Sequence, residues 1–188
     1  MAAGRGSRLA GRTPKPLLTL DGRPLVRWAI DAATAAGAAP VLLVVGRAGR
    51  AVGRAAPPGV AVVRSRGWRL GIAHSLRAAL DALAGTSVPA LCVGLADQPL
   101  VGPDAYRRLA AAHARGARLA VATYAGERGN PVLLDRSLWP AAGALRGDVG
   151  ARALMATHEV TEVDCTGTGD PADVDTLEDL RALEGRSA

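Results

Sequence analysis

Short apolar runs alternate along this chain with longer segments of helical spacing, and that rhythm limits the folds open to it more than any other feature. Residues 40–45 (PVLLVV), 88–95 (VPALCVGL) and 119–123 (LAVAT) read as strands, with a shorter one at 60–63. Between and around them, residues 24–37, 71–84, 104–115 and 175–184 read as helices. The first has proline near its start and glycine at its end, and the second spaces Ile72, Leu76, Ala79, Leu80 and Leu83 along one face. Strands apolar on both faces, alternating with helices, predict a mostly parallel sheet covered on either side by helices. In such sheets ligands bind beyond the carboxyl ends of the strands. Residues 124–157 are interrupted by glycines and prolines and are expected to hold only short inserted elements. No repeat, low-complexity tail or interdomain linker is visible, and 188 residues suit a single domain over 1–188, burying roughly 70% of its unfolded surface.

The core must be aliphatic, because apolar residues make up 49% of the chain while phenylalanine is absent. This composition excludes disorder and disfavours nucleic-acid modules that stack bases on aromatic platforms. The two cysteines, Cys92 and Cys165, are too few for a disulfide scaffold and lack metal-ligand spacing, so both are expected as reduced thiols. No apolar run approaches the about 20 residues of a membrane span, and no signal-peptide core opens the chain. A cytoplasmic protein, monomeric and without a membrane partner, is expected. The net charge of +6 suits an anionic partner, but the arginines are scattered instead of massed, which argues against nucleic acid.

Within 22 arginines there is one lysine, Lys15; the chain also has one glutamine, Gln98, and one asparagine, Asn130. All three fall in loop-like stretches, and together they mark the candidate site. Lys15 closes a glycine-rich basic opening in which Gly4 and Gly6 allow close backbone approach to a phosphate while Arg8 and Lys15 add positive charge, a combination suited to a triphosphate. It is not a dinucleotide fingerprint, because Leu9 stands where a third glycine is needed. Nor is it a Walker loop, since Pro14 and Pro16 deny the helix that such a loop must open. A loop of this kind normally follows a buried strand, so a first strand is expected upstream of Met1 and missing from the sequence.

Asp97 follows an apolar strand and precedes Gln98-Pro99, a position from which a carboxylate can hold Mg2+ together with substrate phosphates and water. Asp173 stands at the possible end of another strand and either faces the same metal or is structural. Asp175 with Glu178 has capping-box spacing and is expected to start the last helix. Asp148 is either a helix cap or a substrate contact. His74, His113 and His158 are isolated and read as structural or exposed, and no catalytic triad or metalloprotease pattern is present.

These residues resemble a known signature. Ala2-Ala3-Gly4-Arg5-Gly6-Ser7-Arg8, Pro14-Lys15-Pro16-Leu17-Leu18 and Asp21-Gly22-Arg23-Pro24-Leu25 are similar to the opening of the MobA-like nucleotidyltransferases, closest to the molybdenum cofactor cytidylyltransferases. The likeness continues through 71–80 with Ser75, 95–100, 128–131, 147–152 and 173–180. It implies a Rossmann-like three-layer α/β/α fold and transfer of a nucleotidyl group from an NTP with release of pyrophosphate. It also implies Arg8 and Lys15 on the triphosphate with Gly4 and Gly6 beneath it, and Ala2, Ala3 and Ser75 on the nucleobase side. Asp97 and Asp173 would hold Mg2+, and Asn130 and Asp148 would face a phosphorylated acceptor such as molybdopterin. Ala2-Ala3-Gly4 leans toward CTP as donor. Thr13-Pro14-Lys15-Pro16 also resembles sugar-nucleotide pyrophosphorylases, which keeps a sugar phosphate open as acceptor. A non-catalytic nucleotide-binding regulator would use the same loop without metal-dependent turnover.

Overall fold

The computed structural model describes residues 1–3 and 13–186, so Gly4, Gly6 and Arg8 lie outside the described residues. In chain order the elements are β1 (Thr19–Leu20), β2 (Arg23–Pro24), α1 (Leu25–Ala35), β3 (Leu42–Val45), α2 (Gly49–Arg54), β4 (Ala61–Arg64), α3 (Ile72–Leu83), β5 (Ala90–Val93), α4 (Pro103–Ala114), β6 (Leu119–Tyr124), β7 (Glu127–Asp135), α5 (Trp139–Ala144), β8 (Thr161–Asp164) and α6 (Leu177–Leu183). The small β1–β2 hairpin turns on Asp21 and Gly22, both with positive φ, as a two-residue turn that follows the strand twist requires.

The main sheet is assembled around the first three residues. Strands β3 and β4 pair in parallel, and β5, β7, β6 and β8 form a second ladder in that spatial order. Between the two ladders lies Met1–Ala3: the Ala2 N–H donates to the Val44 carbonyl at 2.9 Å, forming a parallel bridge to Val45, and the Ala96 N–H donates to the Met1 carbonyl at 3.0 Å. Met1–Ala3 therefore lies between β3 and the turn after β5, at the position where the first strand is expected to enter the sheet. Within this sheet only β7 runs against its neighbours, and the expected mostly parallel α/β sheet is what the chain forms.

The expectation of short insertions after residue 124 needs correcting, because β7, at nine residues, is the longest strand described and lies inside the sheet. Its pattern is hidden by a bulge. Val121 pairs with Val132 and Thr123 with Arg128, so two steps along β6 answer four along β7. Pro131, which has no N–H for the ladder, sits in that irregularity, where a proline is tolerated. Gly129 fits there because a Cβ would come within 2.8 Å of the Tyr124 ring.

Alternation along the strands sorts the core into two layers. Leu119 and Val121 of β6, with Val132 and Leu134 of β7, face Leu76, Leu80 and Leu83 of α3 and Trp139 of α5. Ala120, Ala122 and Leu133 face Tyr106 and Leu109 of α4 and Ala32 of α1. This is a three-layer α/β/α arrangement, and it leaves the loops after β3, β4 and β5 on one edge of the sheet. Among the described residues no helix is long and apolar enough to cross a membrane.

Candidate active site

Past the carboxyl end of β5 the chain turns through Asp97 and Gln98, and the segment 171–174, which forms no strand and so corrects the expectation of one ending at Asp173, lies against this turn. The Val174 N–H donates to the Asp97 carbonyl at 2.8 Å, and Gln98 Nε2 donates to the Pro171 carbonyl at 2.9 Å. Lys15 reaches the same point from a short 3-10 turn, Lys15–Leu17, that opens on Pro14 and includes Pro16. Its Nζ donates to Asp97 Oδ2 at 2.8 Å and to Asp175 Oδ1 at 2.8 Å. The lysine is 12% exposed while its two partners are 34% and 49% exposed, so the charge is buried at the base of an open carboxylate cluster. Burial works against the ammonium, but the hydrogen bonds to Asp175 and Asp97 outweigh it and raise the Lys15 pKa.

Asp173 completes the cluster. Partial burial, followed by the negative charges of Asp97 and Asp175, raises its pKa, with Lys15 and the Gln98 amide offsetting part of the effect. Its protonated form is thus favoured by folding. Its contribution to stability is present below the pKa of the unfolded carboxyl and is lost as pH rises through the raised folded value. Asp173→Asn is accordingly expected to give a small rise in melting temperature at pH 7, with the gap to wild type closing as pH falls toward about 4. A thermal melt series across that pH range checks this, and a lower melting temperature at pH 7 would contradict it.

Gln98 links the cluster to Asn130. It is buried at 5% exposure, and its Oε1 accepts from Asn130 Nδ2 at 3.0 Å. Asn130 comes from the bulge of β7, and its carbonyl accepts from the Tyr124 hydroxyl at 2.9 Å. The three compositional singletons therefore meet: Lys15 on Asp97, Gln98 beside it, and Asn130 on Gln98.

A second group gathers at the start of α3. Ser75 is buried at 2% exposure in the first turn. Asp148 Oδ1 accepts from the Ile72 N–H at 3.3 Å, so it caps α3, far away in sequence, instead of its own segment. Gly71, at φ 110°, lets this happen, since a Cβ there would lie 2.1 Å from the Gly147 carbonyl oxygen. Ala2 lies in the sheet beside Val45. Ala3 is buried, and a Cβ on Gly46 would approach its carbonyl to 2.6 Å. Nearby at the end of β4, Ser65 Oγ is buried without a hydrogen-bond partner among the described residues, as is His74 Nδ1. His113 is structural as expected, with Nε2 2.8 Å from Asp135 on β7.

Asp175 is the site residue that sequence reasoning assigned elsewhere. The last helix is capped by Thr176, whose hydroxyl accepts from the Asp179 N–H while the Asp179 carboxylate accepts from the Thr176 N–H. Capping spacing fits Asp175 with Glu178 and Thr176 with Asp179 equally well, and the pair with the freely turning hydroxyl forms the box. Asp175 is left to hold Lys15.

Asp97 and Asp175 bring hard carboxylate oxygens to the point where the Lys15 ammonium sits, and Asp173 lies close enough to feel both charges, a donor chemistry that fits Mg2+ or another hard divalent ion. Among the described residues no three acidic, histidine or cysteine side chains form a ready-made cage. A hard divalent ion of this kind takes one or two protein carboxylates and the rest of its shell from substrate and water.

A mostly parallel α/β sheet binds its ligands beyond the carboxyl ends of its strands, which is where the cluster of Lys15, Asp97 and Asp175 lies. Residues 1–163 match the MobA-like NTP transferase domain, and the chain belongs to that family. It is 36% identical over 194 residues to nicotine blue oxidoreductase of Paenarthrobacter nicotinovorans, covering 97% of this chain and 93% of that one. Among solved structures it is similar to Rv0371c of Mycobacterium tuberculosis H37Rv, with a TM-score of 0.82, 34% identity and 97% and 93% of the two chains covered. The same protein in complex with manganese matches with a TM-score of 0.76 and 32% identity, over 93% of this chain and 94% of that one.

Proposed function

We propose that this chain transfers a nucleotidyl group from an NTP, with CTP favoured, to a phosphorylated small-molecule acceptor of the molybdopterin type, releasing pyrophosphate. The observation that carries this reading is Lys15 Nζ at 2.8 Å from each of two carboxylates, with Asp173 beside them. Asp97, with Asp173, would hold Mg2+, which would supply positive charge to offset that of the phosphates. An acceptor phosphate oxygen forms a bond to the α-phosphorus, the bond from that phosphorus to the bridging oxygen breaks, and pyrophosphate leaves with the electron pair. Lys15, kept charged by its carboxylates, meets the negative charge gathering on pyrophosphate, joined by Arg8 from the opening loop. A phosphate nucleophile is already ionised at neutral pH, so no general base is needed and the histidines have no proton to move. Ala2, Ala3 and Ser75 face the nucleobase, while Asn130 and Asp148 face the acceptor. The lean toward CTP rests on Ala2-Ala3-Gly4, and the acceptor rests on the likeness to the molybdenum cofactor branch.

The name of the Paenarthrobacter relative supports a second reading, an oxidoreductase acting on a compound such as nicotine blue. The lysine–carboxylate cluster favours the first, because it is built for phosphate and a divalent ion, and the opening glycines lack the dinucleotide spacing. One assay separates them. Pyrophosphate release is followed with CTP, GTP, UTP and dTTP in Mg2+ against molybdopterin and sugar-phosphate acceptors, with NADH and NADPH consumption measured in parallel. Pyrophosphate release that depends on acceptor supports transfer. Cofactor consumption without pyrophosphate would overturn it in favour of the second reading.

A further inference from the structure

The ammonium of Lys15 occupies the place between Asp97 and Asp175 from which a cation balances the cluster. Asp97 has its backbone carbonyl fixed by Val174 and its Oδ2 engaged by the lysine, so the carboxylate turned toward the site is already paired. A divalent ion approaching Asp97 meets a positive charge 2.8 Å from one of its two carboxylate oxygens. We infer that Lys15 is the counter-ion of these carboxylates when no metal is bound, that a divalent metal binds Asp97 only by displacing it, and that the NTP drives this exchange by offering Lys15 a phosphate in return. The inference rests on the metal-dependent transfer reading and adds to it an order: metal and nucleotide enter together, and metal alone is held off.

Three features make the exchange workable. Asp175 is a second anchor, so Lys15 can leave Asp97 without losing every partner, and as the more exposed carboxylate of the pair it stands at the solvent side. The lysine stem is flexible and its head is a compact charge with three donors, unlike a planar guanidinium fixed in a fork. In a chain with 22 arginines, the cation that the described residues place between these carboxylates is a lysine, which can swing between them and a phosphate. The coupling is reciprocal by linkage: if NTP strengthens metal binding through Lys15, metal strengthens NTP binding by the same factor.

The test is Mn2+ binding to the whole protein, read from the electron paramagnetic resonance signal of free Mn2+, with and without CTP and with no acceptor present. Lys15→Met is expected to bind Mn2+ alone at least about fivefold more tightly than wild type and to lose most of the gain that CTP brings. Lys15→Gln provides a second neutral variant should the methionine protein not fold, and Lys15→Arg, which keeps the charge, is expected to hold Mn2+ off as wild type does. Adding Asp97→Asn to Lys15→Met should remove the gain and so locate the ion. If Mn2+ binds wild type with CTP but neither neutral variant gains affinity without it, the inference is overturned and the transfer reading stands. If Mn2+ binds none of these proteins, with or without any of the four NTPs, the metal-dependent reading falls and this inference with it.

Discussion

Lys15→Ala is expected to lower kcat/KM for pyrophosphate release by about 10²–10³-fold, the usual cost of removing one positioned group that stabilises transition-state charge. The loss should appear in kcat and in the KM for NTP, because on the proposed reading the lysine meets the triphosphate before and during departure of pyrophosphate. The same change leaves Asp97, Asp173 and Asp175 without their shared cation, so the protein should also melt at a lower temperature. Two losses from one residue invite the objection that activity falls only because the fold weakens. Lys15→Arg answers it. A guanidinium restores the positive charge among the carboxylates and hence most of the melting temperature, but its fork cannot take up the same two-carboxylate geometry and then move to phosphate. Stability recovered with activity still depressed by at least about tenfold is the expected pattern. Near-normal pyrophosphate release in Lys15→Ala would end the assignment.

Several of these arguments could be made from the sequence because the responsible physics is local. The helices at 25–35 and 72–83 end within two residues of where proline, glycine and apolar spacing place them. Strand β6 is readable because all six of its residues are buried. Strand β7 is not, since Gly129 and Pro131 interrupt its pattern, and only the partner strand β6 shows that they occupy a bulge and not a break. Strand β8, at the sheet edge, alternates polar residues against one half-buried valine, a weak signal beside the apolar runs. The site divides the same way. Lys15, Gln98 and Asn130 could be picked out as compositional exceptions, although their meeting depends on contacts across 82 and 32 residues of sequence. Asp175 could not be assigned to the site, because two capping registers of equal spacing overlap in Asp175-Thr176-Leu177-Glu178-Asp179. A lysine 160 residues away draws Asp175 into the site.

Asp97→Asn should abolish most turnover too, by about 10²–10³-fold at the Mg2+ concentration that saturates wild type, and by a different route. Asparagine keeps the size of the side chain and leaves the backbone carbonyl that receives the Val174 N–H, so the turn after β5 and the segment 171–174 should stay in place. Lys15 keeps Asp175. What is lost is one anionic oxygen, and with it the strongest protein donor available to a hard divalent ion at this point. The signature is therefore in the metal dependence: the activity that remains should need several-fold more Mg2+, whereas in Lys15→Ala the Mg2+ requirement should not rise. A Mg2+ titration of both variants at saturating NTP distinguishes the two roles. Equal metal curves for wild type and Asp97→Asn would take Asp97 out of the ion's shell and leave it as a support for Lys15 alone. That outcome would shift the metal-holding role to Asp173, whose pKa is raised by partial burial and then by the negative charges of Asp97 and Asp175, so that a cation beside it would be favourable.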